Sequence, residues 1–399
     1  MKVGLIRGAY LSQFEMQTYQ HLMPEIELEA YHIRINRFAT DIINVPIRHL
    51  RCIDDPVTLV SPKLGFYFDL FLQATCGWDY YHFGLVDALA DKDIAHTMET
   101  FNAFSYQALQ AKRRFGTKLA VTVWENRPYA AERFKAKRRM KYDVLREADL
   151  FLAMSERARQ CLILEGADPR RVIVSPPGID LDRFHPAETK PAAVMDRLGL
   201  DAETFVFISV AALRWEKGVF DLLHAFKRVH NRNPGRPVKL IYAGSGPERN
   251  RLEQLAARIG LADRVVFTRF PYDAMHEGYA AADAFILASA PRPGWLEQFG
   301  YVLPEAMASG KPMIVTESGS IPEVVGGAGI VVPPCDFMAL ADAMEHILTD
   351  SDARQLLPGS YETVVQTNEQ FVEQIQTVLN RFTGFVTAIA LISLVVGAV

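Results

Sequence analysis

Two glutamates, Glu297 and Glu305, lie eight positions apart and could take part in chemistry on a nucleotide. They bracket a glycine turn and the start of a short predicted helix. Backbone N–H groups at the start of a helix attract anions. The residues between the two glutamates, Phe299, Gly300 and Tyr301, are therefore suited to bind a diphosphate. A carboxylate on the helix can accept hydrogen bonds from both hydroxyls of a ribose. Taken alone, the pattern also fits a solvated helix with two surface glutamates.

The elements that would position these residues alternate along most of the chain. Short β-branched runs are separated by predicted helices, among them Phe104–Arg114 and Glu132–Glu147. This alternation indicates parallel strands with helical crossovers, and such sheets bind ligands at the carboxyl ends of their strands. The segment Pro176–Pro186 is rich in proline and interrupts the series. We therefore predict two α/β domains, 1–185 and 186–357, with the site in a cleft between them.

The glutamate block resembles the EX7E signature of the retaining, GT-B-fold glycosyltransferases of family 4. Further segments similar to that family are Ala148-Asp-Leu-Phe-Leu-Ala-Met-Ser155, Pro177-Gly-Ile-Asp180, Trp215-Glu-Lys-Gly218, Ala243-Gly-Ser-Gly-Pro-Glu-Arg249 and Ser318-Gly-Ser-Ile-Pro-Glu323. The resemblance covers about residues 1–357. It implies an α/β GT-B fold, in which two Rossmann-like domains face each other across a cleft. The N-terminal domain is expected on the acceptor side, and the C-terminal domain is expected to bind the donor.

The resemblance also implies an activity. A sugar would move from a nucleoside-diphosphate-sugar to a glycan or lipid-linked acceptor, with retention of anomeric configuration and without a cofactor or metal. Glu297 and Lys217 are the expected catalytic residues, with Glu297 facing the transferred sugar. Lys217 would neutralise the diphosphate as the glycosidic bond breaks. Glu305 is expected to bind the ribose hydroxyls.

Some positions depart from the family or are ambiguous. The family pairs this lysine with an arginine five positions earlier, where the sequence has Ala212. Arg214 is a candidate replacement, or else it forms a surface ion pair. Gly8 matches a position where backbone approaches the donor phosphates, although a glycine after a strand can be only a turn. Glu125 could contact the acceptor or the transferred sugar, or hold a structural hydrogen bond. His96 is interpreted as a packed histidine.

We predict no metal site. Two acidic DxD strings, Asp91-Lys-Asp93 and Asp180-Leu-Asp182, lie in a loop and a connector of the family's type. The four cysteines are far apart in the sequence, so they are interpreted as buried thiols in a reducing compartment.

Composition and charge limit the other classes of function. The chain of 399 residues is 49% hydrophobic with a net charge of −4, which excludes a disordered chain and a disulfide scaffold. Residues 112–146 form a basic belt with twelve Lys or Arg against three Asp or Glu. The belt suggests an anionic membrane surface as a partner, or else a solvated helix face. No aromatic stacking pattern accompanies it, so no nucleic-acid partner is expected. No secretory signal is seen, so we predict a cytoplasmic protein, and the belt predicts that it lies peripherally at the inner membrane.

Residues 358–399 form an atypical tail. Its end, Phe382–Val399, carries no charge and reaches the length of a transmembrane candidate. It resembles the start of a membrane helix in ABC-transporter permeases of the macrolide-exporter type. The tail is predicted to hold an apolar helix, either as a natural, membrane-inserted anchor or through a mis-joined reading frame. Two alternatives to a transferase also stay open: a GT-B sugar-nucleotide epimerase, and a non-catalytic nucleotide-sugar-binding component of an envelope assembly complex.

Overall fold

The computed structural model describes residues 1–352, except 21–25, 34–35, 37, 39, 41–42 and 54. The chain divides into two compact units, with the boundary between Gly178 and Ile179; the sequence placed it between 185 and 186. The predicted tail, with its apolar helix and its resemblance to a permease, lies outside the described residues. Of the helices that are described, none has the length and apolar character needed to cross a membrane.

The first unit is built on a parallel sheet with helical crossovers. Its described strands are β1 (Lys2–Gly8), β2 (Glu27–Ile33), β3 (Ile47–Leu50), β4 (Ile94–Met98), β5 (Lys118–Val123), β6 (Leu150–Ala153) and β7 (Val172–Val174). Its described helices are α1 (Gln13–Gln20), α2 (Asp55–Val60), α3 (Pro62–Thr75), α4 (Leu85–Ala88), α5 (Ala103–Phe115), α6 (Lys135–Glu147) and α7 (Glu156–Leu164). The strand order is β3-β2-β1-β4-β5-β6-β7.

The second unit repeats this design with fewer strands. Its described strands are β8 (Phe205–Val210), β9 (Val238–Ala243), β10 (Val265–Thr268), β11 (Ala284–Leu287), β12 (Met313–Thr316) and β13 (Gly329–Val332). Its described helices are α8 (Ala192–Arg197), α9 (Val219–Arg232), α10 (Arg249–Arg258), α11 (Met275–Ala281), α12 (Val302–Ala308), α13 (Ile321–Val325) and α14 (Phe337–Thr349). The strands are parallel in the order β10-β9-β8-β11-β12-β13.

Strand β1 shows why these sequences form central strands. Every residue from Val3 to Gly8 is buried, and successive side chains enter different cores. Val3 and Leu5 belong to one apolar cluster, whereas Ile6 belongs to another. Because side chains alternate across a strand, both faces of the sheet are covered by apolar side chains.

In each sheet the chain order reverses beside the first strand. Strand β1 lies between β2 and β4, and β8 lies between β9 and β11. Two neighbouring strands whose crossovers leave in opposite directions open a crevice at their carboxyl ends, where such sheets bind ligands. The loops after β1 and β4, and those after β8 and β11, are therefore where functional side chains are expected.

Candidate functional site

Three side chains meet at the crevice of the second unit. Lys217 ends a short 3₁₀ turn after β8, Ser289 follows β11, and Glu297 lies in the loop between β11 and α12. The Lys217 Nζ donates to Glu297 Oε2 at 2.6 Å, and the Ser289 Oγ donates to the same oxygen at 2.8 Å. We call these three residues the donor cluster. The sequence singled out Lys217 and Glu297, and the structure brings them into direct contact.

The donor cluster is largely shielded from water. Glu297 is buried, and the Lys217 side chain is 20% exposed. The Lys217 Nζ also lies 4.8 Å from the centroid of the Trp295 ring, a distance at which a cation is attracted by the face of an aromatic ring. A buried carboxylate is tolerated here because it is paired with a cation and a hydroxyl donor.

Backbone contacts that only glycine permits hold the loops of the cluster together. A Cβ on Gly218 would lie 1.8 Å from the carbonyl oxygen of Ala288, and one on Gly319 would lie 1.9 Å from that of Glu297. Both glycines have positive φ, +61° and +59°, which other residues rarely adopt. The Ser320 N–H donates to the Glu297 carbonyl at 3.0 Å. The cluster is therefore positioned by main chain as well as by side chains.

Glu305 lies on α12 and is buried. The Tyr279 hydroxyl donates a hydrogen bond to its Oε2 at 2.9 Å. Burial raises the pKa of Glu305 to about 7, against the opposing hydrogen bond from Tyr279 and the charge of Arg183. Near neutral pH this carboxyl therefore exists in both protonation states.

The residues expected to hold a diphosphate come directly before α12, which begins at Val302. Phe299 is buried, Gly300 has a φ of +80°, and the Leu303 N–H donates to the Gly300 carbonyl at 2.9 Å. Gly300 thus makes the turn that the sequence suggested, and Phe299 and Tyr301 flank it.

Arg214 is engaged in an ion pair. Its Nε donates to Glu216 Oε1 at 2.8 Å, and Arg292 approaches the same oxygen at 3.6 Å. Strand β8 ends at Val210, and beyond it Ala212 and Arg214 are exposed. To reach a donor phosphate, Arg214 would have to leave Glu216.

Two candidate residues belong to the first unit. Gly8 ends β1 with a φ of +56°, and a Cβ there would lie 2.7 Å from the Phe104 ring. Glu125 follows β5 and binds Arg127 through both carboxylate oxygens, each at 2.8 Å. The charge of Glu125 is therefore balanced within its own loop.

Glu99 is a residue that the sequence analysis missed. It is buried directly after β4 and has a φ of +59°, which is unusual for a glutamate. Its Oε1 accepts the backbone N–H groups of Trp124 and Glu125 at 3.0 and 3.1 Å, while its Oε2 has no hydrogen-bond partner among the described residues. Burial and the Glu125 charge raise the pKa of Glu99 to about 8. The signal that could have found it is a carboxyl at the end of a central strand.

Other sequence interpretations have mixed outcomes. His96 is packed, as predicted: it is buried and shares a 2.8 Å hydrogen bond with Thr122 Oγ1. In the part of the chain that the structure describes, no cluster of His, Cys, Asp or Glu could hold a metal ion. The prediction of four buried thiols was wrong for Cys76 and Cys335, which are exposed.

The basic belt is less basic at the surface than its composition suggested. Lys137 is buried against Asp79 at 2.5 Å, and Lys141 is buried against Glu165 at 2.7 Å. These charges are neutralised inside the first unit, so they cannot act on a membrane.

Sequence comparison finds a family match in the second unit. Residues 193–357 match the family described as glycosyl transferases group 1. The chain is 34% identical over 218 residues to a D-inositol 3-phosphate glycosyltransferase of Nocardia farcinica, covering 52% of this chain and 47% of that protein. It is also 34% identical over 180 residues to a GDP-mannose-dependent alpha-(1-6)-phosphatidylinositol monomannoside mannosyltransferase of Mycolicibacterium smegmatis, covering 44% and 46%. The chain thus spans about half the length of these curated relatives.

Solved structures share the fold of both units. Anabaena HepE in complex with UDP matches 96% of this chain and 100% of its own, with a TM-score of 0.75 and 20% identity. Sucrose-phosphate synthase of Thermosynechococcus elongatus matches 96% and 99%, with a TM-score of 0.70 and 19% identity. The predicted α/β class with two Rossmann-like parallel sheets is confirmed. The chain has the GT-B fold, and its residues 193–357 match the family described as glycosyl transferases group 1.

Proposed function

We propose that this chain is a glycosyltransferase that moves a sugar from a nucleoside-diphosphate-sugar to a glycan or lipid-linked acceptor with retention of configuration. The observation that carries the proposal is the donor cluster, in which Lys217, Glu297 and Ser289 meet at the carboxyl ends of β8 and β11. The names of the relatives support a nucleotide-sugar donor, because one of them is GDP-mannose-dependent and HepE binds UDP.

Lys217 supplies the positive charge that the leaving group requires. Its ammonium has three N–H donors. In the part of the chain that the structure describes, one of them is hydrogen-bonded to Glu297. The others can reach phosphate oxygens. As the bond between the sugar and the diphosphate breaks, negative charge grows on the diphosphate, and a fixed, partly desolvated cation stabilises that charge more than water does. With Lys217 in this role, the reaction needs no metal ion, so chelation by EDTA should leave it unchanged.

The two glutamates take different parts in the proposed site. Glu297 is held beside Lys217 and would contact hydroxyls of the transferred sugar. Glu305 is buried with Tyr279 and would bind the ribose, whose hydroxyls can both donate and accept hydrogen bonds. Phe299, Gly300 and Tyr301 would offer backbone N–H groups to the diphosphate. Arg214, Gly8 and Glu125 remain proposed contacts, of which Arg214 and Glu125 must first exchange their present partners.

A donor panel tests the proposal on the full chain. UDP-, GDP- and ADP-sugars are screened by thermal shift, and release of nucleoside diphosphate is measured with D-inositol 3-phosphate and phosphatidylinositol as trial acceptors. Lys217→Ala should lower turnover by about 10²- to 10³-fold, as expected for loss of a preorganised charge. Glu305→Ala should abolish the thermal shift.

Lys190→Ala is the matched control. Lys190 pairs with Asp283 at 2.6 Å, the same length as the Lys217–Glu297 pair. Asp283 comes directly before β11, so this pair lies at the amino end of that strand and not at the carboxyl end. This variant should turn over donor at the wild-type rate. If Lys217→Ala and Glu297→Gln leave turnover unchanged, the assigned site is wrong. Donor binding without turnover would support the non-catalytic alternative, and an altered donor sugar without release of diphosphate would support an epimerase.

A further inference from the structure

Helix α3 of the first unit exposes a row of large apolar side chains. Leu64, Phe66, Tyr67 and Phe71 are 58–66% exposed. The end of α2 extends the surface with Leu59 and with Val60, which is 83% exposed. We call these six residues the α2–α3 apolar face. Single exposed apolar residues are ordinary on soluble proteins, but a contiguous group marks a surface that something else covers.

The apolar face does not result from a loosely attached helix. Residues 64, 67 and 71 follow the spacing of one helix face, and the other side of α3 packs on the protein. Leu72 is buried, and Gly65 lies so close to α2 that a Cβ would come within 2.4 Å of the Thr58 hydroxyl. The Ser61 hydroxyl caps the N-terminus of the helix by accepting from the Leu64 N–H. The helix is thus anchored with its apolar residues directed outward, the reverse of an ordinary surface helix.

The exposed charged side chains that the structure describes on α3 and just before α2 are positive. Lys63 lies on α3 itself, and Arg48 and Arg51 come shortly before α2; all three are exposed. Helix α6 packs against α3, where the Lys137 Nζ donates to Gln73 at 3.2 Å. The exposed charged side chains of α6 are Lys135, Arg138, Arg139 and Arg146.

The acidic side chains of this region are turned inward or bonded. Asp55 is buried and accepts from the Cys52 N–H. Asp79 is buried against Lys137, and Asp69 accepts from Gln73. In the described part of residues 47–79, the exposed charged side chains are therefore all basic. A neutral partner surface would leave these basic side chains unpaired, whereas an acidic surface would pair with them. Charge complementarity therefore favours an anionic partner.

We propose that the α2–α3 apolar face is the docking surface for a lipid bilayer with anionic headgroups. Aromatic and leucine side chains on one helix face, bordered by Lys and Arg, are the combination that inserts at the boundary of headgroups and acyl chains. The phenol of Tyr67 suits that boundary because the ring is apolar and the hydroxyl stays hydrated. The basic side chains would lie at the headgroups, where each adds to the attraction. This surface contains no residue of the donor cluster, and of the basic belt it uses only the charges on α6. Docking there does not depend on the proposed sugar transfer.

Vesicle flotation of the full chain tests the proposal. The chain should float with vesicles of phosphatidylcholine and phosphatidylglycerol, and less with phosphatidylcholine alone or at high salt. The double variant Leu64→Gln with Phe71→Gln should weaken partitioning about tenfold or more, because two large apolar side chains no longer enter the bilayer. The matched control changes the same residue types elsewhere, Leu164→Gln with Phe337→Gln, both exposed in the wild type. It should partition like the wild type.

A fluorescent label locates the contact independently of any membrane affinity elsewhere in the chain. Cys76 is exposed at the C-terminal end of α3, whereas Cys335 is exposed in the second unit and the other two cysteines are buried. An environment-sensitive label on Cys76, in a Cys335→Ser chain, should shift to the blue with anionic vesicles and be quenched by doxyl lipids. The same label on Cys335, in a Cys76→Ser chain, should not respond.

Three outcomes would overturn the proposal. The first is a Cys76 label that does not respond to anionic vesicles. The second is an equal response in the Leu64→Gln, Phe71→Gln chain. The third is a dimer, detected by light scattering, that the same double variant dissociates, since the apolar face would then be covered by a second copy of the chain.

Discussion

At the scale of single residues, the buried carboxyls differ by what surrounds them. Glu297 has Lys217 and Ser289 within hydrogen-bond distance. Among the described residues, Glu305 and Glu99 have no hydrogen-bonded cation, and burial raises the pKa of these carboxyls to about 7 and about 8. A charge inside a protein is stable only when it is paired, so otherwise the group retains its proton to higher pH. The first carboxylate suits charge chemistry, and the other two suit hydrogen bonding.

The raised pKa of Glu305 makes stability depend on pH. Its pKa is about 7 in the folded chain against 4.5 for the free group, so the folded state holds this proton to higher pH than the unfolded state. The stabilising contribution is full below about pH 4.5 and is lost as the pH rises through 7. Glu305→Gln stays neutral, so at pH 8 it should unfold at a higher temperature than the wild type. The expected gain in unfolding free energy at pH 8 is roughly 3 kcal/mol, and no gain is expected at pH 4.5.

Thermal unfolding curves from pH 4.5 to 8 check this expectation. The exposed Glu323, on α13 of the same unit, provides a matched variant in Glu323→Gln, which should follow the wild type throughout. Parallel dependence of the unfolding temperature on pH in Glu305→Gln and the wild type would show that Glu305 does not titrate in this range.

At the scale of elements, the geometry of the donor cluster depends on loops locked by glycine. Besides Gly218 and Gly319, a Cβ on Gly244 would lie 1.9 Å from the Ala211 carbonyl, and one on Gly246 would lie 2.3 Å from that of Leu213. The loop after β9 therefore packs directly on the loop after β8, backbone against backbone. Because close backbone contacts help to hold the loops together, fewer side chains are needed for that purpose.

Gly319→Ala tests this arrangement. The added methyl group meets the Glu297 carbonyl and also strains a backbone with φ of +59°, so the loop carrying Glu297 must shift. Displacement of a catalytic group by about 1 Å can cost about 10²-fold in rate, and donor turnover should fall by that order. Gly327→Ala is the control, since a Cβ there meets nothing within 4 Å. Equal turnover in the two variants would contradict the positioning role.

Elements with a regular pattern could be predicted from the sequence, whereas tertiary exceptions could not. The predicted helix Phe104–Arg114 corresponds to α5, Ala103–Phe115. The predicted helix Glu132–Glu147 begins three residues late, at Lys135, because Ala131 has a φ of +59° and the chain is still turning. Helix α3 was not predicted. The exposure of its apolar residues could not be predicted either, since a pattern of apolar residues does not reveal whether they face the core or the solvent.

The same limit applies to the site. The spacing of Glu297 and Glu305 was visible because both lie in one continuous segment. The contact of Ser289 with Glu297 depends on a loop that returns across the crevice, and the burial of Glu99 depends on the loop after β5. The amino-acid sequence does not contain the tertiary contacts, so it cannot show which hydroxyl or carboxyl becomes enclosed. The carboxyl ends of central strands are nevertheless the place to search for such groups.

At the scale of the whole molecule, the two units share a strand order, and buried titratable groups of both signs make the stability of the fold depend on pH. Glu305 in the second unit and Glu99 in the first give stability that is lost as the pH rises. His82 in the first unit has the opposite sign, because burial lowers its pKa from 6.5 to about 4. The unfolded chain binds a proton there that the folded chain resists, so stability is full above about pH 6.5 and is lost as the pH falls toward 4.

His82→Gln isolates this effect. The variant has no titrating ring, so its unfolding free energy relative to the wild type should increase as the pH falls from 7 to 5, by up to about 2 kcal/mol. Urea unfolding at each pH gives the difference, and hydrogen exchange of the amides assigns it to the first unit. An exposed histidine on β3 supplies the control His49→Gln, which should lack this trend. A constant difference between His82→Gln and the wild type would remove His82 as the cause.

The contact between Lys217 and Glu297 has a consequence for the turnover cycle. In the proposed reaction the nucleoside diphosphate must leave after the sugar is transferred, and a partly desolvated ammonium without another partner would retain it. Glu297 already lies 2.6 Å from that ammonium and competes for it as the product departs. Because Glu297 keeps one N–H donor of that ammonium while the others reach the phosphates, the attraction between Lys217 and the product is weaker, which favours product release.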